Sequence, residues 1–163
     1  MISKKVIKGI NYLIFSLPAL LIFIVLYATN FLRPVRLGTL NAKGRISIMI
    51  SYIEPFMRRL KLQFNNPLLI VINPGADPNK QLTKMYKRKV LILDDNTPVL
   101  RYLFFVTYRL FAQYSRIGVH LTSGDIKEFA EAWQKGSPVL NFTKEEHKRG
   151  KELLKTLGVP EGE

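Results

Sequence analysis

The sequence predicts an α/β protein with an N-terminal membrane helix followed by a parallel sheet and flanking helices. Two observations carry this. Residues Gly9 to Leu32 contain no charge, and 24 such residues exceed the roughly 20 that cross a hydrocarbon core. Further on, two uninterrupted apolar runs, Leu68 to Ile72 and Val90 to Leu93, flank a basic segment of helical character, which is the pattern of a strand–helix–strand unit with strands buried on both faces.

The first segment, residues 1–33, reads as a membrane anchor, and residues 34–163 as one folded domain. Its apolar run exceeds the usual length of a signal-peptide core, and no small-residue cleavage site follows. Lys4, Lys5 and Lys8 precede the run and Arg33, Arg36, Lys43 and Arg45 follow it, so the positive-inside rule assigns no orientation. Pro18 interrupts its hydrogen bonding. A kinked span and a re-entrant or interfacial helix both fit.

Pro34 marks the exit, Val35 to Leu40 reads as a short strand, and Asn41 to Arg45 as a turn. A helix follows, with Ile46, Met49, Ile50, Ile53, Phe56, Met57 and Leu60 at helical spacing and Pro55 expected to kink or restart it. Asn79 to Lys89 forms a short helix between the two buried runs. Thr97 and Pro98 start the next one, with Pro at the first helical position, and it extends to about Tyr114 as a buried or membrane-apposed helix. Ile117 to Leu121 is a strand or a loop. Asp125 and Glu128 stand at capping-box spacing before a helix ended by Gly136 and Pro138. The final helix has Thr143 and Glu146 as its capping box, a Leu153, Leu154 and Leu157 stripe, Gly158 as C-cap and Pro160 as stop. A chain ending soon after that helix reads as the first part of a longer alternating pattern.

The net charge of +13 is unevenly placed. Residues 1–89 hold 15 Lys or Arg against 2 acids, whereas residues 90–163 hold 10 of each. A surplus confined to the half with the apolar segment suits an anionic lipid surface; nucleic-acid binding would also tolerate it, although no nucleic-acid partner is expected. The absence of cysteine excludes disulfides and Cys zinc sites. No phosphate-loop, dinucleotide, zinc-protease or nucleophile-elbow motif is present.

The remaining candidates are small groups of polar residues. Gly38 and the Ala42 to Arg45 turn lie between a strand and a helix, where backbone amides can hold a phosphate or sugar, although a plain turn has the same residues. Asp94 and Asp95 stand at the carboxyl end of a strand, the edge where open α/β sheets bind ligands, and either one is a candidate base toward an acceptor hydroxyl or an ordinary turn residue. His120 is one of two histidines, and His147 belongs to a charged helix face. The Tyr and Phe cluster from Tyr102 to Tyr114 reads as core.

Three stretches resemble a family of bacterial glycosyltransferases of the GT-B kind associated with surface polysaccharides. RISIMISYIEPFMRR is similar to the family's R-I-G-H-L-A and E-x-[YF]-x-R-R motif at Arg45, Ile46, Glu54, Phe56, Arg58 and Arg59, with Ser47 and Ile48 in place of Gly-His. NKQLTKMYKR, Asn79 to Arg88, looks like the family's N-K-Q-L-x-K-M-[WY]-K-R. LNFTKEEHKRGKELLKTLGVPEG is similar to its F-T-x-E-E and G-x-x-L-L-x-x-L-G. The resemblance covers about Val35 to Gly162. It implies a Rossmann-like N-terminal domain that handles a glycan or lipid-linked acceptor, beside a second domain that binds most of a nucleotide-sugar donor. It further implies a bacterial inner-membrane location with the folded part in the cytoplasm, substrate-binding roles for Arg45, Glu54 and Arg58 beside the Gly38 turn, and no turnover by this half alone. A non-catalytic membrane-anchored interaction module and a basic nucleic-acid binder are the rival readings.

Overall fold

The computed structural model describes residues 4–40, 46–73, 79–121 and 126–158. Among them is a parallel four-stranded sheet in the order β3-β2-β1-β4, built from β1 (Val35–Thr39), β2 (Leu68–Ile72), β3 (Leu91–Leu93) and β4 (Gly118–His120). The α/β class and the parallel sheet agree with the sequence reading. Val35 pairs with Leu68, Ile72 with Leu93 and Thr39 with His120, so the carboxyl ends of all four strands share one edge.

Burial on both faces explains why β2 is an unbroken LLIVI run. Leu69 and Val71 point to one cluster, with Ile53, Phe56, Met57 and Leu60 of α2 (Ile46–Gln63) and Tyr86 of α3 (Lys80–Lys87). Ile70 and Ile72 point to the other, with Leu26 of α1 (Lys4–Leu32) and Tyr108 of α4 (Pro98–Leu110). The sheet therefore has a helix layer on each side. To the α2–α3 side are added α5 (Ile126–Lys135), which packs on α2, and α6 (Lys144–Thr156), tied to α3 by the Arg88–Glu146 ion pair.

Several expectations are refined. Helix α2 runs continuously through Pro55. Helix α4 stops at Leu110, and Ala112–Tyr114 form a 3₁₀ turn before β4, which settles the strand-or-loop alternative in favour of a strand. The 3₁₀ turn crowds β4 so closely that a Cβ on Gly118 would meet the Ala112 carbonyl oxygen at 2.1 Å. The Thr143–Glu146 capping box is present in both directions, with Thr143 Oγ1 accepting from the Glu146 amide at 3.2 Å and Glu146 Oε2 from the Thr143 amide at 2.8 Å. Gly158 takes the left-handed conformation, φ 73°, that ends the helix. The Leu153, Leu154 and Leu157 stripe, however, is exposed and α6 buries no residue.

The N-terminal helix contains a stretch, Tyr12–Leu32, of 21 residues with mean hydropathy 2.2, long and apolar enough to cross a membrane. It is also part of the fold. Ala19 is fully buried, its carbonyl accepts the Thr107 hydroxyl at 3.4 Å, and Ile22, Phe23 and Leu26 pack on the sheet cluster. Phe15 meets Tyr102 edge-on at 5.1 Å, and Phe23 stacks on Phe111 at 5.6 Å. These three levels advance together along the two helices, so α1 and α4 run parallel. Asn30 fixes the exit, its Oδ1 accepting from the Val35 amide at 2.9 Å and from Arg36 at 3.0 Å.

Candidate functional site at the carboxyl edge of the sheet

Strand order places β1 beside β4, and the helices that follow them, α2 and α5, pack together on one face of the sheet. Open α/β sheets bind ligands outside the carboxyl ends of their strands. Thr39 and His120 are the paired residues there. The Tyr108 hydroxyl, buried beneath them, lies 3.2 Å from His120 Nδ1 and 3.4 Å from the Val119 carbonyl. Burial pushes the Tyr108 hydroxyl above the ordinary phenolic range, against a smaller opposing effect of its hydrogen bond with Thr39. Tyr108 stays protonated and holds the exposed imidazole in place.

Gly38 is the penultimate residue of β1. A Cβ there would stand 3.0 Å from Leu121 Cγ and Val119 Cγ2, so its part is to let β1 and the end of β4 approach. The turn with Arg45 lies outside the described residues, as does Asp125.

At the end of β3 the two aspartates diverge. Asp94 is buried, and Oδ2 accepts Lys87 Nζ at 2.5 Å while Oδ1 accepts the Asn96 amide at 3.1 Å. Burial alone raises this carboxyl, but the hydrogen bonds from Lys87 and from Asn96 outweigh it, and the group is held below its usual range. A carboxylate so stabilised is a poor proton acceptor, suited to positioning. Asp95 is exposed and paired with Arg101. Asp94 and Asp95 line an open hollow with Lys80, Thr83, Lys84, Lys87 and Asn96, the lysines falling on one side of α3 at i, i+4 and i+7.

Glu54 and Arg58 are placed elsewhere, in a buried network under α5. Glu54 Oε1 accepts Arg58 Nε at 3.0 Å and the Val139 amide at 2.8 Å, and Oε2 accepts the Tyr86 hydroxyl at 3.4 Å. Arg58 donates to the Trp133 and Gly136 carbonyls at 3.2 and 3.0 Å and lies 4.2 Å over the Trp133 ring. The pair expected to bind substrate is buried here, with its hydrogen bonds made inside the protein. Their charges are consumed in joining α2 to α5, and Gly136 is small because a Cβ would meet Arg58 Cβ at 2.6 Å.

The sequence reading missed the Thr39–Tyr108–His120 grouping. Its signal was the open choice at Ile117 to Leu121: as a parallel strand, that segment puts His120 on the ligand edge. No protein-family model matches the chain, and no curated protein or solved structure matches it.

Proposed function

We propose that this chain is the membrane-associated, acceptor-side domain of a GT-B-like glycosyltransferase that moves a sugar from a nucleotide-sugar to a polysaccharide or lipid-linked acceptor. The observation that carries the reading is the convergence of polar groups on the carboxyl edge of a parallel sheet whose order, β3-β2-β1-β4, is that of the first four strands of a Rossmann-like sheet. The NKQLTKMYKR stretch supports it, since it supplies α3 and the lysine side of the hollow beside Asp94. His120 at the carboxyl end of β4 is the general base, taking the acceptor hydroxyl's proton while Tyr108 orients the ring. Asp94 keeps Lys87 in place at the rim, where the ammonium meets acceptor or phosphate charge. A second, donor-binding domain brings the nucleotide-sugar, so this domain alone has no turnover.

Incorporation of sugar from labelled nucleotide-sugars into lipid-soluble or glycan product tests the reading in membranes of cells producing the full chain. Product that falls at least tenfold in His120→Ala, with the protein still folded, supports it. Turnover by the purified 163-residue protein alone refutes the acceptor-side assignment. Inactivity with every donor in the presence of a donor-binding domain favours the interaction module.

A further inference from the structure

The packing of α1 decides how this chain meets a membrane. A helix that crosses a bilayer is surrounded by lipid or by other spanning segments. Here the apolar run lies lengthwise on a folded α/β domain, from Phe15 beside Tyr102 to Asn30 beside the Val35 amide. Standing it upright in a bilayer would carry the sheet, with Asp94 and Glu54, into hydrocarbon. Peeling it away would expose Val35, Leu37 and Ile70, all at most 2 % accessible, to water.

The outer side of α1 is equally informative. A helix covering a water-soluble domain has a polar outward face. In α1 that face is Leu13, Leu17, Leu21, Ile24 and Phe31, all more than half exposed. Helix α4 continues it with Val99 at 69 %. Apart from Asp95, which pairs with Arg101, the charge around this layer has one sign. Residues 1–53 and 96–124 contain no Asp or Glu, while Arg33, Arg36, Arg109 and Arg116 edge the two helices and their connections. Among the described residues the other layer is mixed, with Glu131, Glu145, Glu146 and Glu152 beside its lysines.

We infer that the α1–α4 layer is a monotopic membrane-insertion face: α1 and α4 lie together in one leaflet of an anionic bilayer, and no part of the described chain crosses it. The apolar outer sides enter the acyl boundary and the arginines meet the headgroups. Because α1 and α4 run antiparallel to the strands, the strands lie along the membrane plane. The carboxyl edge then opens sideways at the headgroup level, within reach of a lipid-linked substrate. The inference stands on packing and charge and does not require the sugar-transfer reading.

The full chain, which contains no cysteine, allows unambiguous single-cysteine reporters. In spheroplasts and inverted membrane vesicles from bacteria producing it, Lys4→Cys and Gln134→Cys are expected to react with an impermeant maleimide from the same side. Spin labels at Leu17→Cys and Val99→Cys on vesicles of phosphatidylcholine and phosphatidylglycerol are expected to be equally shielded from an aqueous nickel chelate, while one at Leu153→Cys is not. Arg109→Ala is expected to weaken vesicle partitioning about fivefold at low salt, the effect of one basic residue near an anionic surface. Labelling of Lys4→Cys only from the side opposite Gln134→Cys overturns the proposal in favour of a span. A water-exposed Val99 label beside a lipid-buried Leu17 label overturns it too, as does spin–spin coupling between Leu17 labels in a lipid-free dimer with no binding to vesicles.

Discussion

The two helix layers bury comparable apolar clusters against the same sheet, yet they hold their outer sides differently. Under α5 and α6 the polar groups are paired: Glu54 with Arg58, Tyr86 and the Val139 amide, Arg88 with Glu146, Lys135 with Glu131. Across the sheet, α1 and α4 meet through rings and small residues and present aliphatic side chains outward. The first layer ties its helices together with hydrogen bonds and ion pairs and leaves the Leu153, Leu154 and Leu157 stripe of α6 outside them. The second has an aliphatic outer side, assigned above to lipid.

Breaking the paired layer has the largest expected effect. Glu54→Ala removes the acceptor for Arg58 Nε, the Val139 amide and the Tyr86 hydroxyl together, leaving a buried guanidinium uncompensated, and is expected to cost about 3–5 kcal/mol. Denaturant unfolding in mild detergent measures it, and Trp133 fluorescence reports the separation of α5 from α2. The equivalent change in the other layer is Ala19→Leu. It forces extra carbons between α1 and α4 at a fully buried position and is expected to cost about 1–3 kcal/mol in the same assay. By contrast, Leu17→Ser, on the outer side of α1, is expected to leave unfolding within about 0.5 kcal/mol of the parent while reducing vesicle binding. A full-sized stability loss there would erase the distinction between inner and outer sides.

The smallest effect is the most local. Glu146 is drawn down from 4.5 to about 2, mainly by the hydrogen bond from Arg88 and then by the Thr143 amide. A carboxylate lowered in the folded state contributes stability that is complete above its unfolded value and is lost as pH falls through the folded one. Docking of α6 on α3 is therefore expected to hold at pH 6 and to weaken between pH 4.5 and about 2. Amide exchange of Lys144–Thr156 checks this, and Arg88→Ala is expected to reduce the pH dependence to the part that the Thr143 amide supports.

The elements set by local chemistry were legible in the sequence. The LLIVI run, the Asn79 cap of α3, whose side chain accepts the Leu82 amide at 2.9 Å, and the Thr143 box each carry their cause within a few residues. What distant packing decides was not legible. Pro55 reads as a breaker, yet α2 continues through it because the Ile53, Phe56, Met57 and Leu60 side holds the helix on the sheet. Glu54 and Arg58 read as ligand-facing charges, because nothing in their own stretch reveals that Trp133 and Gly136 arrive from α5 to take the guanidinium. A helix apolar on every side gives no stripe, so the buried side of α1 had no signature. The carboxyl-edge location of Asp94 followed from strand grammar, whereas the Lys87 partner that lowers its basicity came from seven residues upstream.

The Ala19–Thr107 hydrogen bond joins residues 88 apart in the chain. During synthesis at about 5–20 residues per second, α1 is complete several seconds before the helix that covers its inner side exists. For that interval a run of mean hydropathy 2.2 leaves the ribosome with neither side covered, the kind of segment that targeting factors capture. On the monotopic reading inferred above, delivery to the membrane precedes completion of the sheet, and the domain assembles on a helix that lipid already holds. Folding at the bilayer surface, rather than in bulk water followed by docking, is the order expected on that reading.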